Sequence, residues 1–194
     1  MSLFTIADTH LSFGSNKPMD VFNGWNDYTE RLRKNWSYLI REEDTVVIPG
    51  DISWGMSLEE SLEDFIFLDD LPGKKLILKG NHDYWWTSRK KIDEFLYNNY
   101  LDTITIIHND AVRVGDISVC GTRGWFYDAE DDADKKIINR EVGRLNASID
   151  CGLELGGEPV VFLHYPPVYD NMVCDEIFNV LVERGIKRCY YGHL

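Results

Sequence analysis

The chain has no Cys-x-x-Cys pair: its four cysteines, Cys120, Cys151, Cys174 and Cys189, are scattered over 194 residues. That spacing argues against a zinc knuckle and a dense disulfide framework, so four reduced thiols acting as small hydrophobes are expected. No apolar run approaches the roughly 18 residues of a membrane span, and no basic segment leads into an apolar stretch near Met1. The expectation is a cytoplasmic protein without membrane contact. Basic charge is also short, with 20 Lys+Arg against 33 Asp+Glu and a net charge of −13. Phosphate backbones meet repulsion over most of such a surface, which argues against extended nucleic acid as a partner. It does not exclude a small phosphorylated substrate, because bound divalent ions can make a site locally positive.

The composition that is present, 44% hydrophobic and 13% aromatic, suffices for one sizeable core and shows no disordered or collagenous bias. Residues 1–194 are expected to form a single domain. Short apolar runs alternate with longer amphipathic segments, which reads as α/β. Strands are expected at Leu3–Ala7, Thr45–Ile48 and Lys75–Leu78, with helices at Asn26–Arg41, Leu58–Leu71 (stopped by Pro72-Gly73) and Trp86–Tyr100. Three short strands, Ile104–Ile107, Ala111–Val114 and Ile117–Cys120, are separated by turn-forming Asn109-Asp110 and Gly115-Asp116 and read as an antiparallel meander. An acidic loop over 128–134 precedes a helix to Leu153. A strand at Pro159–Leu163, a helix at Asp175–Arg184 and a last strand at Lys187–Tyr191 complete the pattern.

Metal-capable residues fall at the C-terminal ends of these strands, where α/β sheets place their ligand sites. Asp8-Thr9-His10 follows the first, Gly50-Asp51 the second and Gly80-Asn81-His82-Asp83 the third; His164 and Gly192-His193 follow later ones. Four of the five histidines belong to this set. Carboxylates, imidazoles and one amide oxygen make a mixed nitrogen and oxygen donor set suited to Mn, Fe, Zn or Ni. Asp8 or Asp51 alone can be a helix cap and Asn81 alone a turn residue; together they require five coincidences.

In this order and spacing the motifs resemble the calcineurin-like metallophosphoesterase superfamily, and the resemblance runs from residue 8 to residue 193. It implies a four-layer αββα sandwich with two mixed central β-sheets and a dinuclear centre of two divalent ions, manganese favoured. It further implies that Asp8 and His10 bind one ion, that Asp51 bridges, and that Asn81, His164 and His193 bind the second. His82 is the implied catalytic acid. Asp83 is left out of the ligand set, a supporting or capping role weighing at least as much as a catalytic one.

Two positions depart from the family pattern. The second Asp of Gly-Asp-x-x-Asp orients the catalytic imidazole, but here Trp54 stands there, and its indole N–H can only donate. Ser53, another carboxylate or a carbonyl must orient His82, or proton delivery is weaker. The family's Gly-His-x-His stands as Gly192-His193-Leu194 with no second His, so the natural chain is expected to continue past Leu194.

The implied activity is hydrolysis of a small phosphomonoester, phosphodiester or nucleotide by a metal-bridging hydroxide. A nuclease acting on single-stranded or oligonucleotide substrates and a weakly active phosphoesterase-fold scaffold stay open as alternatives. Arg123 is a candidate phosphate contact, with a surface ion pair to the acidic stretch as the plain reading. Trp85, Trp86, Trp125, Phe126, Tyr127, Tyr165, Pro166 and Pro167 can wall a pocket or simply pack.

Overall fold

A computed structural model describes residues 1–125 and 132–193 of the chain. Phe126, Tyr127, most of the acidic stretch and Leu194 lie outside the described residues. The chain divides into two compact units, Met1–Ile77 with Asn81–Ile106, and Leu78–Gly80 with Ile107–Leu194.

The first unit alternates strand and helix: β1 (Leu3–Thr5), α1 (Tyr28–Leu39), β2 (Thr45–Pro49), α2 (Leu62–Asp69), β3 (Lys74–Leu78), α3 (Arg89–Asn98) and β4 (Ile104–Ile106). The strands form one sheet in the order β1-β2-β3-β4, with β1 parallel to β2 and β3 parallel to β4. All five β2 residues are buried, as expected for a parallel strand covered on both faces. Val46, Ile48, Ile77 and Ile106 of the sheet share one core with Trp36, Phe65, Leu68, Ile92 and Leu96 of the helices. That core anchors the strand ends from which the site residues emerge.

The placement of β4 corrects the expected meander. Its residues pair with β3, Lys75 opposite Ile104 and Ile77 opposite Ile106, and take no part in the antiparallel pairing that follows. Thr103 fixes this choice: its N–H and hydroxyl reach Asp69 Oδ1 at 2.9 and 2.6 Å, while its carbonyl accepts the Lys75 N–H at 2.8 Å. A three-residue strand, Ile104-Thr105-Ile106, carries no mark of the sheet it joins; the Thr103 bonds to Asp69 and the burial of Ile104 and Ile106 in the first core hold it there.

In the second unit, β5 (Ala111–Val114) and β6 (Ile117–Thr122) form a hairpin around Gly115-Asp116, with Val114 opposite Ile117. Gly115 has φ +59°, as the tight two-residue turn of a hairpin requires. Next come α4 (Asp132–Glu154), β7 (Glu158–Leu163), a small antiparallel pair β8 (Val168–Tyr169) and β9 (Met172–Val173), α5 (Asp175–Glu183) and β10 (Cys189–Tyr191). Helix α4 starts at Asp132, so the end of the acidic stretch is helical rather than loop. The sheet order is β10-β7-β6-β5, parallel except for β5 against β6. Helix α4 lies so close to this sheet that a Cβ at Gly152 would stand 2.4 Å from Cys120 Sγ. The four cysteines are free thiols. No helix among the described residues is long and apolar enough to cross a membrane.

Candidate metal centre

Beyond β1 and β2 the two chain segments stay paired. Asp8 N–H donates to the Gly50 carbonyl at 3.1 Å, His10 N–H to Asp51 at 3.0 Å and Leu11 N–H to Ile52 at 2.9 Å. Buried Thr9 directs its hydroxyl to the Ile52 carbonyl at 3.0 Å. This ladder places Asp8 and His10 beside Asp51. All three have positive φ, +57°, +43° and +53°, in the left-handed region where a residue with a Cβ is strained by on the order of 1–3 kcal/mol. Such strain persists where surrounding structure over-determines the backbone, as this ladder does.

His10 Nε2 stands 4.0 Å from Asp8 Oδ1 and 3.7 Å from Asp51 Oδ2. Those separations exceed a hydrogen bond but approach the roughly 3.4 Å between neighbouring ligands of a tetrahedral ion held at about 2.1 Å. Asp8 and Asp51 each offer a carboxylate oxygen, the two lying within 4.8 Å of one another. Burial pushes the Asp51 carboxyl up to about 7, opposed by the His82 N–H and reinforced by the charges of Asp83 and Asp8. A cation beside this group would restore its charge. Donor types, separations and electrostatics all fit a divalent metal.

Asp83 holds the loop that carries Asp51. It is 1% exposed, and its carboxylate accepts the N–H groups of Asp51 at 2.9 Å and Ile52 at 2.8 Å together with the Trp85 indole N–H at 3.0 Å. It acts 31 residues away from the loop it shapes, a relation invisible in sequence. Trp85 is correspondingly a core residue, buried edge-on against Phe65.

His82 donates its backbone N–H to Asp51 Oδ1 at 2.8 Å. Ser53 does not orient its ring: the Ser53 hydroxyl donates to Asp64 Oδ2 at 2.5 Å and accepts the Gly55 N–H at 3.0 Å. The imidazole instead packs on Trp54, centroids 4.6 Å apart, and its Nδ1 lies 3.2 Å from the Tyr84 hydroxyl. Trp54 also stacks on His10 at 4.9 Å and 19°. Burial, aided by the Lys17 charge, lowers the His82 pKa. The sequence named Trp54 as an anomaly; Tyr84, two residues from His82, went unnoticed because an i, i+2 contact in a loop has no signature.

Asp64 supports the same loop from α2. Fully buried, it also accepts the Phe13 N–H at 2.7 Å, and burial raises its pKa from 3.8 to about 6 despite the Ser53 and Phe13 hydrogen bonds. The folded state therefore binds this proton more tightly than the unfolded chain. Its contribution to stability is fully present below about pH 4 and is lost as pH rises to about 6, a loss on the order of 2–3 kcal/mol. Asp64→Asn should remove that dependence, so that urea unfolding shows the variant gaining on the wild type between pH 4 and 7. A difference that stays constant with pH would reject this account.

In the second unit, His164 follows β7 and His193 follows β10. Pairing of Tyr191 with Leu163 brings the two histidines level, with ring centroids 5.0 Å apart and one ring nitrogen of each within 4.8 Å of the other's. His164 is fully buried, and its N–H and that of Tyr165 donate to the Arg123 carbonyl at 3.1 and 2.9 Å. His193 has φ +58° and packs edge-on against Tyr165 at 4.6 Å. The Arg123 guanidinium lies 5.0 Å over the Trp125 ring. Arg123 thus shapes the His164 turn through its backbone, while its side chain rests on an aromatic face.

The family model of calcineurin-like phosphoesterases matches residues 1–194. The chain belongs to that family. Among curated relatives, the gene 66 protein of Mycobacterium phage L5 is 35% identical over 80 residues, 40% of this chain and 37% of that protein. An uncharacterized protein of Methanocaldococcus jannaschii is 27% identical over 112 residues, 55% of this chain and 58% of its own. The matched segments thus span about a third to three fifths of these relatives. The solved structure of the phosphopantetheinyl hydrolase of Mycobacterium tuberculosis aligns with a TM-score of 0.50 at 14% identity, over 99% of this chain and 82% of that one. At such identity the likeness speaks for the fold alone. Membership of the phosphoesterase family agrees with the metal-capable donors in both units.

Proposed function

We propose that this chain is a divalent-metal-dependent phosphoesterase acting on a small phosphomonoester, phosphodiester or nucleotide. The observation that carries the reading is the convergence of Asp8, His10 and Asp51 within 3.7–4.0 Å contacts, with His82 tied to Asp51 by a 2.8 Å hydrogen bond. Asp8, His10 and Asp51 would hold one ion, and Asp51, Asn81, His164 and His193 a second, with manganese the favoured metal. When bound, such ions lower the pKa of water and offset phosphoryl charge. His82 protonates the departing alkoxide, a step its ring can make only if one nitrogen is turned toward the leaving group. Arg123 is proposed as a phosphate contact, its fork of donors suiting phosphoryl oxygens. The charge of −13 favours small substrates over duplexes, and a cytoplasmic setting suits the free thiols.

Chelation should abolish turnover of generic aryl phosphomonoesters and phosphodiesters, and added manganese should restore it. Undiminished turnover by protein whose metal content has been measured as zero would refute the reading.

A further inference from the structure

The hydroxyl of Tyr84 is the polar group that meets His82 Nδ1, at 3.2 Å. The Tyr84 ring also meets the imidazole edge to face, centroids 5.9 Å apart at 74°, and Trp54 packs against it at a tilt, 4.6 Å away. Lys17 Nζ sits over both aromatic rings, 5.0 Å from the Trp54 centroid and 5.8 Å from that of Tyr84. Tyr84 and Trp54 thus flank the imidazole with Lys17 resting on their rings, and the His10 ring lies 5.9 Å from it; none of these side chains is a carboxylate. Ser53, the nearest alternative in sequence, is committed to Asp64.

We propose that Tyr84 is the positioning residue for His82: its hydroxyl accepts the Nδ1–H of the imidazole, Trp54 walls the ring, and Nε2 is thereby the nitrogen left to deliver a proton. The chemistry is consistent through the step. The charged imidazole has both N–H groups, Nδ1–H stays bonded to the phenol oxygen, Nε2–H moves to the leaving-group oxygen, and the neutral ring remains as the Nδ1–H tautomer. A phenol oxygen is uncharged, so it fixes the tautomer and the ring plane without the added charge stabilisation that a carboxylate brings. Trp54 and Lys17 fit this arrangement: the side chain at position 54 is an indole, which offers no acceptor, and the Lys17 cation is held by the two ring faces. The inference rests on the phosphoesterase reading for its catalytic consequence but not for its geometry.

Two measurements on Tyr84→Phe test it, and Tyr84 is 49% exposed, so losing its hydroxyl leaves the fold intact. Nitrogen-15 NMR of the zinc-loaded protein at about pH 8.5, where imidazole is neutral, should show His82 as the Nδ1–H tautomer in the wild type and a shift toward Nε2–H in the variant. Turnover of an alkyl phosphodiester should fall about 3- to 10-fold, the worth of one neutral hydrogen bond, while an aryl ester with an acidic phenol changes less than about twofold because it needs little protonation. Metal content should not change. A His82 tautomer unaffected by the variant, or an alkyl-ester loss no larger than the aryl-ester loss, overturns the proposal. If neither ester is turned over by the wild type, the phosphoesterase reading fails, and the tautomer measurement alone decides whether Tyr84 orients His82.

Discussion

Asp51→Asn is expected to strip the protein of bound metal, more so than substitution of any other proposed ligand, and to lower turnover by on the order of 10³ or more. Asp51 is the proposed ligand common to both ions. The amide is isosteric, and one of its atoms can still accept the His82 N–H, so the backbone of the loop has no reason to move. Its loss is chemical: an uncharged group, half of it a donor, faces the cations. Fold and metal separate cleanly in this variant. The carboxylate is 1% exposed and costly to bury when charged, so the chelated variant should unfold at no lower temperature than the chelated wild type. Metal content per mole of protein, turnover and thermal unfolding with chelator together decide the matter. Full metal content in the variant would remove Asp51 from its shared role, and a collapse of the chelated protein would mean that the residue is structural.

His82→Ala should retain metal while losing about 10²–10⁴ in turnover of esters with alkyl leaving groups, the usual worth of a general acid. Its backbone N–H still reaches Asp51 Oδ1, at 2.8 Å in the wild type, because that bond does not depend on the side chain. The loss should shrink to about tenfold or less on an aryl ester whose phenol departs unprotonated. Equal losses on both esters would take His82 out of the acid role and assign it to binding. Comparing the two ester classes also grades His82→Ala against Tyr84→Phe, since removing the acid must cost more than misdirecting it.

The strand ends that carry Asp51, Asn81 and His164 were legible because each follows an apolar run that marks a buried parallel strand without reference to distant residues; those before Asp8 and His193 belong to short strands at the sheet edges, β1 and β10, which are less buried. Helix existence was legible for the same reason, while bounds such as Leu62–Asp69 in place of Leu58–Leu71 depend on local turns at 57–61. The sheet joined by Ile104–Ile106 was not legible, because it hinges on Thr103 meeting Asp69 across 34 residues. For Asp83 a supporting role was open but its partners, the amides of residues 51 and 52, were hidden, and Asp64 beneath Ser53 went unseen: a buried carboxylate looks like a surface one until its distant partners are known. Trp54 shows the opposite case. Donor–acceptor chemistry alone excluded it as the imidazole's partner, but only the fold reveals that it stacks on His10 and meets His82 at a tilt.

The bonds from Asp83 to the amides of residues 51 and 52 have a consequence for protein engineering. Residues 81–86 and residues 50–54 are two loops in sequence but one interlocked part, since the second takes its backbone path from a carboxylate on the first. Transplanting the 81–86 loop from another family member to alter specificity would import a carboxylate, or its absence, that the resident 50–54 loop was not shaped to meet. The transferable module is therefore the pair, and chimeras that exchange both segments together should assemble where single-loop grafts fail.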